Sequence, residues 1–268
     1  MDVDWSYPRV LLLALLVVTV GAIVVAASTS TAAFGAFNSD WDGTADLRDR
    51  AIYLEDALVV ADLHLGRGDA ANLEIPVGDG ADVLARVETL LDAFDPDHLV
   101  LAGDVLHSFQ TVPKPVRDSL EGIHAAATDR GVDPVAVEGN HDTMLDRAWP
   151  ADVVAEVSLG DTLVTHGHDT PDGSADRYVV GHDHPTITIQ GRRRECYLVG
   201  DGTYEGGDLV MVPAFNRLVR GVEVNRMRAT DFQSPLVANA DALAPVVWDE
   251  DAGQVLAFPP LGEFRHRL

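Results

Sequence analysis

Five short segments of the chain combine histidine, aspartate and asparagine, whose side chains are common ligands of divalent metal ions. Each segment follows a short apolar run that predicts the end of a buried strand. In chain order the segments are DLH (62–64), GD (103–104), GNHD (139–142), HGHD (166–169) and GHDH (181–184). Taken singly, each has an ordinary structural explanation, because aspartate commonly caps a turn and a histidine beside glycine fits a solvated loop. Since strand carboxyl ends form the ligand crevice of open α/β sheets, the five together predict one metal-binding centre.

The apolar pattern around these segments predicts an α/β fold. Strands and helices alternate in the first half, with strands predicted at 57–62, 97–104 and 133–142 and helices at 80–94 and 114–131. Three successive strand–helix units predict a parallel sheet with right-handed crossovers. After Pro150 the apolar runs are short and closely spaced, which predicts an antiparallel or mixed second sheet with strands at 153–157, 162–165, 178–180, 186–189 and 209–212.

The ordered set of segments from Asp62 to His184 resembles the calcineurin-like metallophosphoesterases. That resemblance implies an α/β/β/α sandwich, in which two mixed sheets are flanked by helices, over residues 51–268. The downstream runs VMVPAFNRLVRGVEVN (210–225) and FQSPL (232–236) look like the compact archaeal branch of SbcD-related phosphoesterases, to which the bacterial ligase-associated endonucleases are similar.

The resemblance also implies how the ligands are shared between two divalent cations. Asp104 would bridge the pair; Asp62, His64 and His184 would complete the first site, and Asn140, His166 and His182 the second. Cations about 3.5 to 4 Å apart acidify a shared water, so that a hydroxide held between them attacks the phosphorus, and they screen the phosphate charge. Mixed imidazole and oxygen ligands suit manganese best here, with iron and zinc as alternatives.

Further site residues follow from the same segments. In the family pattern His141 does not bind metal but lies near the phosphoryl group, where it would protonate the leaving oxygen or stabilise developing charge, with Asp142 orienting it or capping a helix. His168 and Asp169 are expected to orient the ligating imidazoles. Arg67 and His107 are candidates for contacting the substrate phosphate, against the alternative of solvated loop side chains.

The composition is strongly acidic. The chain carries 43 Asp and Glu against 19 Lys and Arg, of which only Lys114 is lysine, for a net charge of −24. This bias resembles halophile proteins, and such a surface repels nucleic acid at low ionic strength. At molar salt the Debye length is about 3 Å, so that repulsion is screened. Cys196 is the only cysteine, which excludes an internal disulfide and a cysteine-based zinc site.

The N-terminal residues 1–37 have a different character. Val10 to Ser28 are uncharged, and a helix of that length spans about 28 Å, close to the roughly 30 Å hydrocarbon core of a bilayer. A transmembrane helix at 10–28 is predicted, with a cleaved secretory signal and a downstream translation start as alternatives. The protein would then be membrane-associated, and otherwise cytoplasmic; the side of the membrane stays open. Residues 38–50 are polar and predict a linker.

Three functions fit these patterns. The first is a phosphodiesterase that acts on nucleic acid, single-stranded or flap DNA among the substrates. The second is a hydrolase of nucleotides or other small phosphoesters that is tethered to the membrane. The third is a scaffold without catalysis, which the complete ligand set disfavours.

Overall fold

The first part of the described chain forms a six-stranded mixed sheet. The computed structural model describes residues 45–67, 79–108 and 110–267. The strands lie in chain order across the sheet: β1 (Ala45–Arg48), β2 (Ala51–Leu54), β3 (Ala57–Val60), β4 (His98–Ala102), β5 (Asp133–Val137) and β6 (Val153–Val154). Neighbours from β1 to β3 are antiparallel, whereas β3 to β6 are parallel. The parallel sheet predicted from the strand–helix alternation is therefore confirmed.

Two amphipathic helices cover one face of this sheet. Helix α1 spans Asp79–Phe94 and helix α2 spans Lys114–Thr128. Their apolar residues recur every three or four positions, so that each helix presents one stripe to the sheet, as Val83 and Val87 do on α1 and Leu120 and Ile123 on α2. These stripes and the facing strand residues form one buried core.

The second part of the described chain forms a seven-stranded mixed sheet and a smaller three-stranded one. The larger sheet contains β7 (Glu156–Leu159), β8 (Thr162–Thr165), β9 (Arg177–Val180), β12 (Tyr197–Tyr204), β13 (Gly207–Met211), β15 (Ala244–Asp249) and β16 (Gln254–Ala257). Its spatial order is β16-β15-β12-β13-β9-β8-β7. The smaller sheet has the order β11-β10-β14, from β10 (Pro185–Ile189), β11 (Arg192–Glu195) and β14 (Val222–Glu223). A short helix α3 (Leu261–Phe264) and several single 3-10 turns complete the described elements.

The two large sheets face each other. On β3, Leu58 packs under the helices, while its neighbour Val59 is fully buried and points to the opposite face because strand side chains alternate. Val179 on β9 is likewise fully buried and lies outside the outer core of its own sheet. The Tyr197 hydroxyl on β12 donates to the Ala51 carbonyl of β2 at 2.7 Å, which joins the sheets directly. The predicted sandwich of two mixed sheets is confirmed.

Boundaries at the start of the domain differ from the prediction. Residues 45–50 were assigned to the polar linker, but Ala45–Arg48 form β1 and Leu47 is buried. Alternation explains the difference: one buried side chain in four suffices for an edge strand with one solvated face. The described residues from 45 to 267 belong to one compact unit. The transmembrane helix predicted at 10–28 lies outside the described residues, and no helix among those described is long and apolar enough to span a bilayer.

Candidate metal centre

The five predicted strand ends converge on one point between the sheets. Metal-capable side chains follow β3, β4 and β5 in the first sheet and β8 and β9 in the second. Seven residues meet there, namely Asp62, His64, Asp104, Asn140, His166, His182 and His184. These are the residues predicted as metal ligands. The structure brings all of them together.

One group of four donors comprises Asp62, His64, Asp104 and His184, with one ligand atom from each lying within 4.8 Å of the others. The Nε2 atoms of His64 and His184 are 3.3 Å apart, and His184 Nε2 lies 3.1 Å from Oδ1 of Asp62. His64 Nε2 lies 3.7 Å from Oδ2 of Asp104. Two imidazole nitrogens and two carboxylates therefore point at one space, as a cation requires.

A second group comprises Asp104, His166 and His182. Nδ1 of His182 lies 3.2 Å from Nε2 of His166, which is 3.2 Å from Oδ1 of Asn140 and 3.4 Å from Oδ1 of Asp104. The other ring nitrogen of His166 lies 3.2 Å from the Ala102 carbonyl. That carbonyl accepts a hydrogen bond from Nδ1–H, which leaves the Nε2 lone pair free to bind metal.

Asp104 belongs to both groups, so its carboxylate is the shared element of the centre. Its Oδ1 accepts a hydrogen bond from the His141 amide at 2.9 Å. Asp62 is held in the same way, because its Oδ2 accepts from the His182 amide at 3.0 Å. In both cases, the backbone of one ligand-bearing loop fixes the orientation of a carboxylate on another.

Five of the ligands have left-handed backbone conformations: Asp62, His64, Asp104, His182 and His184, with φ between 41° and 72°. Positive φ is uncommon for residues other than glycine and costs energy, so its concentration at one site indicates that the surrounding structure imposes it. The other non-glycine residues with positive φ in the described chain lie in turns, such as Asp56 between β2 and β3, or, for Asp95, directly after α1. Left-handed backbone turns each side chain sharply out of its strand and toward the centre.

Two glycines of the motifs are required by close approach. A Cβ at Gly139 would overlap the Asp104 backbone nitrogen, and one at Gly181 would lie 2.6 Å from Oδ2 of Asp62. Both glycines precede a ligand. Glycine is therefore required at these two positions because the loops pack closely against each other there, and not only because a turn forms.

The pKa values of several predicted ligands are shifted in directions that suit metal binding. Burial lowers the pKa of His64 to about 3 and that of His166 to about 4, so both imidazoles are neutral near pH 7 and can donate a lone pair. Burial raises the pKa of Asp62, but its contacts with His184 and other imidazoles outweigh this and lower that pKa to about 2. Burial and the Asp62 charge raise the pKa of Asp104 to about 7. Two crowded carboxylates beside the neutral imidazoles of His64 and His166 fit two divalent cations, which would compensate the buried negative charge.

His141 lies at the edge of this centre with its side chain partly exposed. Its Nε2 is 3.8 Å from Oδ2 of Asp104, and its ring meets that of His64 edge to face at a centroid distance of 5.2 Å. This position is open to a substrate that approaches from solvent. The proton-donor role predicted for His141 agrees with the position and stays a prediction.

Asp142 makes contacts different from those expected. Its carboxylate accepts hydrogen bonds from the backbone amides of Val105 at 3.1 Å, Leu106 at 2.8 Å and Gly139 at 3.0 Å. The following 3-10 turn begins after Met144, which has no side-chain cap, so Asp142 is not its N-cap. Buried Asp142 therefore ties the loop after β4 to the loop after β5. The catalytic role of Asp142 stays a prediction, whereas its contacts define a positioning role.

The remaining predicted residues lie around the centre. The His168 ring is 5.2 Å from that of His166, and its Nε2 lies 3.2 Å from Oδ2 of Asp169, which is largely exposed. The His107 ring meets that of His64 at 5.9 Å. Arg67 is half-buried and its amide donates to the His64 carbonyl. His168 and His107 thus neighbour ligands directly, whereas the contacts of Arg67 place only its backbone.

Two positioning residues were missed by the sequence reasoning. Asp183 lies between two ligands, and its carboxylate accepts from the amides of Gln233 and Ser234, which anchors the FQSPL segment. Asn216 donates through Nδ2 to the Leu63 carbonyl at 2.7 Å, inside the first motif. Both are nearly fully buried polar residues. Asn216 lies in the run VMVPAFNRLVRGVEVN, and Asp183 contacts the run FQSPL, so the sequence showed both runs. It did not show which loops these runs contact.

The chain is similar to two proteins of known structure and to one family model. The crystal structure of nuclease MPE from Pseudomonas putida matches with a TM-score of 0.55 and 25% identity, over 78% of this chain and 92% of that one. Yfce, a phosphoesterase from E. coli, matches with a TM-score of 0.39 and 16% identity, over 76% and 98%. A comparison with curated protein sequences gave no significant match. The family model for calcineurin-like phosphoesterases matches residues 57–203, which contain all the predicted metal ligands. Since that match covers more than half of the chain, the chain belongs to the calcineurin-like phosphoesterase family and is a metal-dependent hydrolase of phosphoester bonds.

Proposed function

We propose that this chain is a phosphodiesterase that cleaves single-stranded or flap nucleic acid with two divalent cations, manganese being the metal expected. The observation that carries the proposal is the carboxylate of Asp104, which belongs to both donor groups and so can hold two cations side by side. Likeness to the nuclease MPE, at 25% identity over most of both chains, favours nucleic acid as the substrate.

The residues divide the chemistry between them. Asp62, His64, Asp104 and His184 would hold one cation, and Asp104, Asn140, His166 and His182 the other. When bound, the cations acidify a water molecule and neutralise the phosphate charge. His141 would donate its proton to the leaving oxygen as the bond from that oxygen to phosphorus breaks and the bond to the attacking oxygen forms. Asp142 keeps the His141 loop against the Asp104 loop.

An activity panel tests the substrate class. The full chain would be assayed in high salt with manganese on bis(4-nitrophenyl) phosphate, 4-nitrophenyl phosphate and labelled single-stranded DNA. We expect cleavage of the diester and of the DNA, and removal of both activities by chelation. Turnover of the monoester alone would overturn the proposal.

A second candidate, hydrolysis of nucleotides or lipid-linked phosphates at a membrane, is favoured by the uncharged run Val10–Ser28. On this proposal the full chain fractionates with membranes, whereas a variant that lacks residues 1–44 does not and keeps its specific activity. Membrane fractionation and intact mass measure this. Loss of metal from the shortened chain would mean that the N-terminal segment belongs to the catalytic fold.

A further inference from the structure

A cleft of about 140 Å³ away from the metal ligands is lined by four arginines, Arg50, Arg193, Arg194 and Arg217. We call it the arginine cleft. The half-buried indole of Trp248 lines the same space. Four of the 19 basic residues thus meet at one place in a chain whose net charge is −24. Such a local excess is the electrostatic feature that an acidic protein needs in order to bind an anion.

The acids of the arginine cleft are already paired. Glu195 lies 3.0 Å from Arg50, and Glu250 lies 3.1 Å from Arg217. Asp49 is held at 2.8 Å by Arg86, which lies behind the cleft. Asp82 also contacts Arg86 and Arg217. With Arg86 and Asp82 included, the cleft and its surroundings contain five arginines and four acidic residues, an excess of one positive charge.

The uncompensated charge lies at Arg193 and Arg194. The Arg193 guanidinium donates only to neutral acceptors, Oγ1 of Thr186 at 2.9 Å and the Gly221 carbonyl at 2.6 Å. Arg194 is exposed, and neither arginine forms an ion pair with any part of the chain that the structure describes. The fixed orientation of Arg193 and the free head group of Arg194 are suited to a phosphate, which guanidinium groups bind through two parallel hydrogen bonds.

Both walls of the arginine cleft connect to metal-binding loops. Strand β10 starts directly after His184, and Arg194 on β11 pairs with Ile187 of β10. At about 3.3 Å per residue, Arg194 is therefore roughly 10 Å along the strand from that ligand. On the other wall, Arg50 donates to the carbonyl of Asn216, whose side chain donates to the Leu63 carbonyl between two ligands.

From this arrangement we propose that the arginine cleft binds backbone phosphates of the same nucleic-acid strand whose scissile phosphate lies at the metal centre. The inference rests on the proposed nuclease function and adds a second contact site to it. At roughly 3.4 Å per stacked nucleotide, a separation of about 10 Å places the contact about three nucleotides from the scissile phosphate. Trp248 offers a ring on which a base can stack between the phosphate contacts.

The test compares substrates that do and do not reach the cleft. Full-length wild type, Arg194→Ala and Arg194→Glu would be assayed with manganese on bis(4-nitrophenyl) phosphate and on a labelled single-stranded decanucleotide over a range of salt. We expect the ratio of KM for the decanucleotide to KM for the small diester to rise about tenfold in Arg194→Ala and further in Arg194→Glu, since a hydrogen-bonded charge is lost. The slope of log KM against log salt should fall by about 0.7 for one lost phosphate contact with a single strand.

A matched control separates position from charge. Arg117 is an exposed arginine on α2, outside the cleft, and Arg117→Ala should leave the KM ratio unchanged. If the wild type cleaves the decanucleotide and the KM ratio is unchanged in both Arg194 variants, the proposal that the arginine cleft binds the strand is wrong. Wild type that hydrolyses the small diester but not the decanucleotide would instead overturn the proposed function itself.

Discussion

The metal centre and the arginine cleft differ in how tightly the structure holds their side chains. The carboxylates of Asp62 and Asp104 are at most 3% exposed and accept hydrogen bonds from backbone amides of other loops. Arg194 is exposed on β11, an edge strand of the three-stranded sheet. Because the loops of the buried centre hold one another through hydrogen bonds, loss of one metal ligand should remove metal binding and activity together. Loss of one exposed arginine should lower the affinity for substrate by a smaller amount, independently of the other arginines.

The largest effect is expected from Asp104→Asn. A neutral amide leaves both cations with less compensating charge, so we expect loss of both metals and of detectable hydrolysis while the fold is kept. Elemental analysis, an assay of bis(4-nitrophenyl) phosphate hydrolysis and circular dichroism measure these three outcomes. Asp133→Asn is the control, because that carboxylate is 81% exposed and lies at the start of β5, the opposite end of the strand from the ligand Asn140. Two metals still bound at full occupancy in Asp104→Asn would contradict the bridging role.

His141→Gln should keep both metals and lose turnover by about 10²- to 10⁴-fold, the range for a lost general acid. His98→Gln, which removes an imidazole that is 45% exposed on β4, should leave turnover unchanged. Metal content and kcat are the measurements. Metal loss in His141→Gln would make His141 a ligand and would remove it from proton transfer.

Asp142→Asn should act on metal affinity before it acts on chemistry. An amide offers one acceptor oxygen, whereas the carboxylate accepts three backbone hydrogen bonds between two ligand-bearing loops. Groups that orient metal ligands typically contribute 10- to 100-fold in affinity, and we expect a loss of that size. Competition with a chelator measures it, and Asp146→Asn, exposed in the next turn, is the control. Unchanged affinity with reduced kcat would instead support a direct catalytic role.

The metal ligands were the part of the molecule best predicted from the sequence. Each short segment shows both the end of an apolar strand and the residue types that bind metal. The run before Asp62, for example, predicted a strand with two buried faces, and β3 has them. The left-handed backbone of His64 and the amide contacts of Asp142 could not be predicted, since both depend on loops that meet only in the folded chain.

The arginine cleft was missed for a related reason. Composition predicts a surface that repels nucleic acid, whereas β11 carries a run of three arginines. Arg50, Arg193 and Arg217 are far apart in the sequence, and only pairing between strands and loops brings them to one cleft. Net charge describes the average surface and does not locate an exception.

The smallest effect should come from Lys114→Ala, which decides whether the position or the number of positive charges matters. Lys114 is the only lysine, lies at the start of α2 with its side chain 83% exposed, and pairs with Asp118 one turn later. Its removal makes the net charge of −24 one unit more negative, the same change that Arg194→Ala makes. Lys114 does not line the arginine cleft, and its charge is already paired with Asp118. At physiological salt the Debye length is only about 8 Å, so this charge should contribute little to binding of the strand in the cleft. We therefore expect the KM ratio between the decanucleotide and the small diester to stay within about twofold of wild type. An increase as large as that of Arg194→Ala would mean that overall charge, and not the arginine cleft, sets the affinity for the strand.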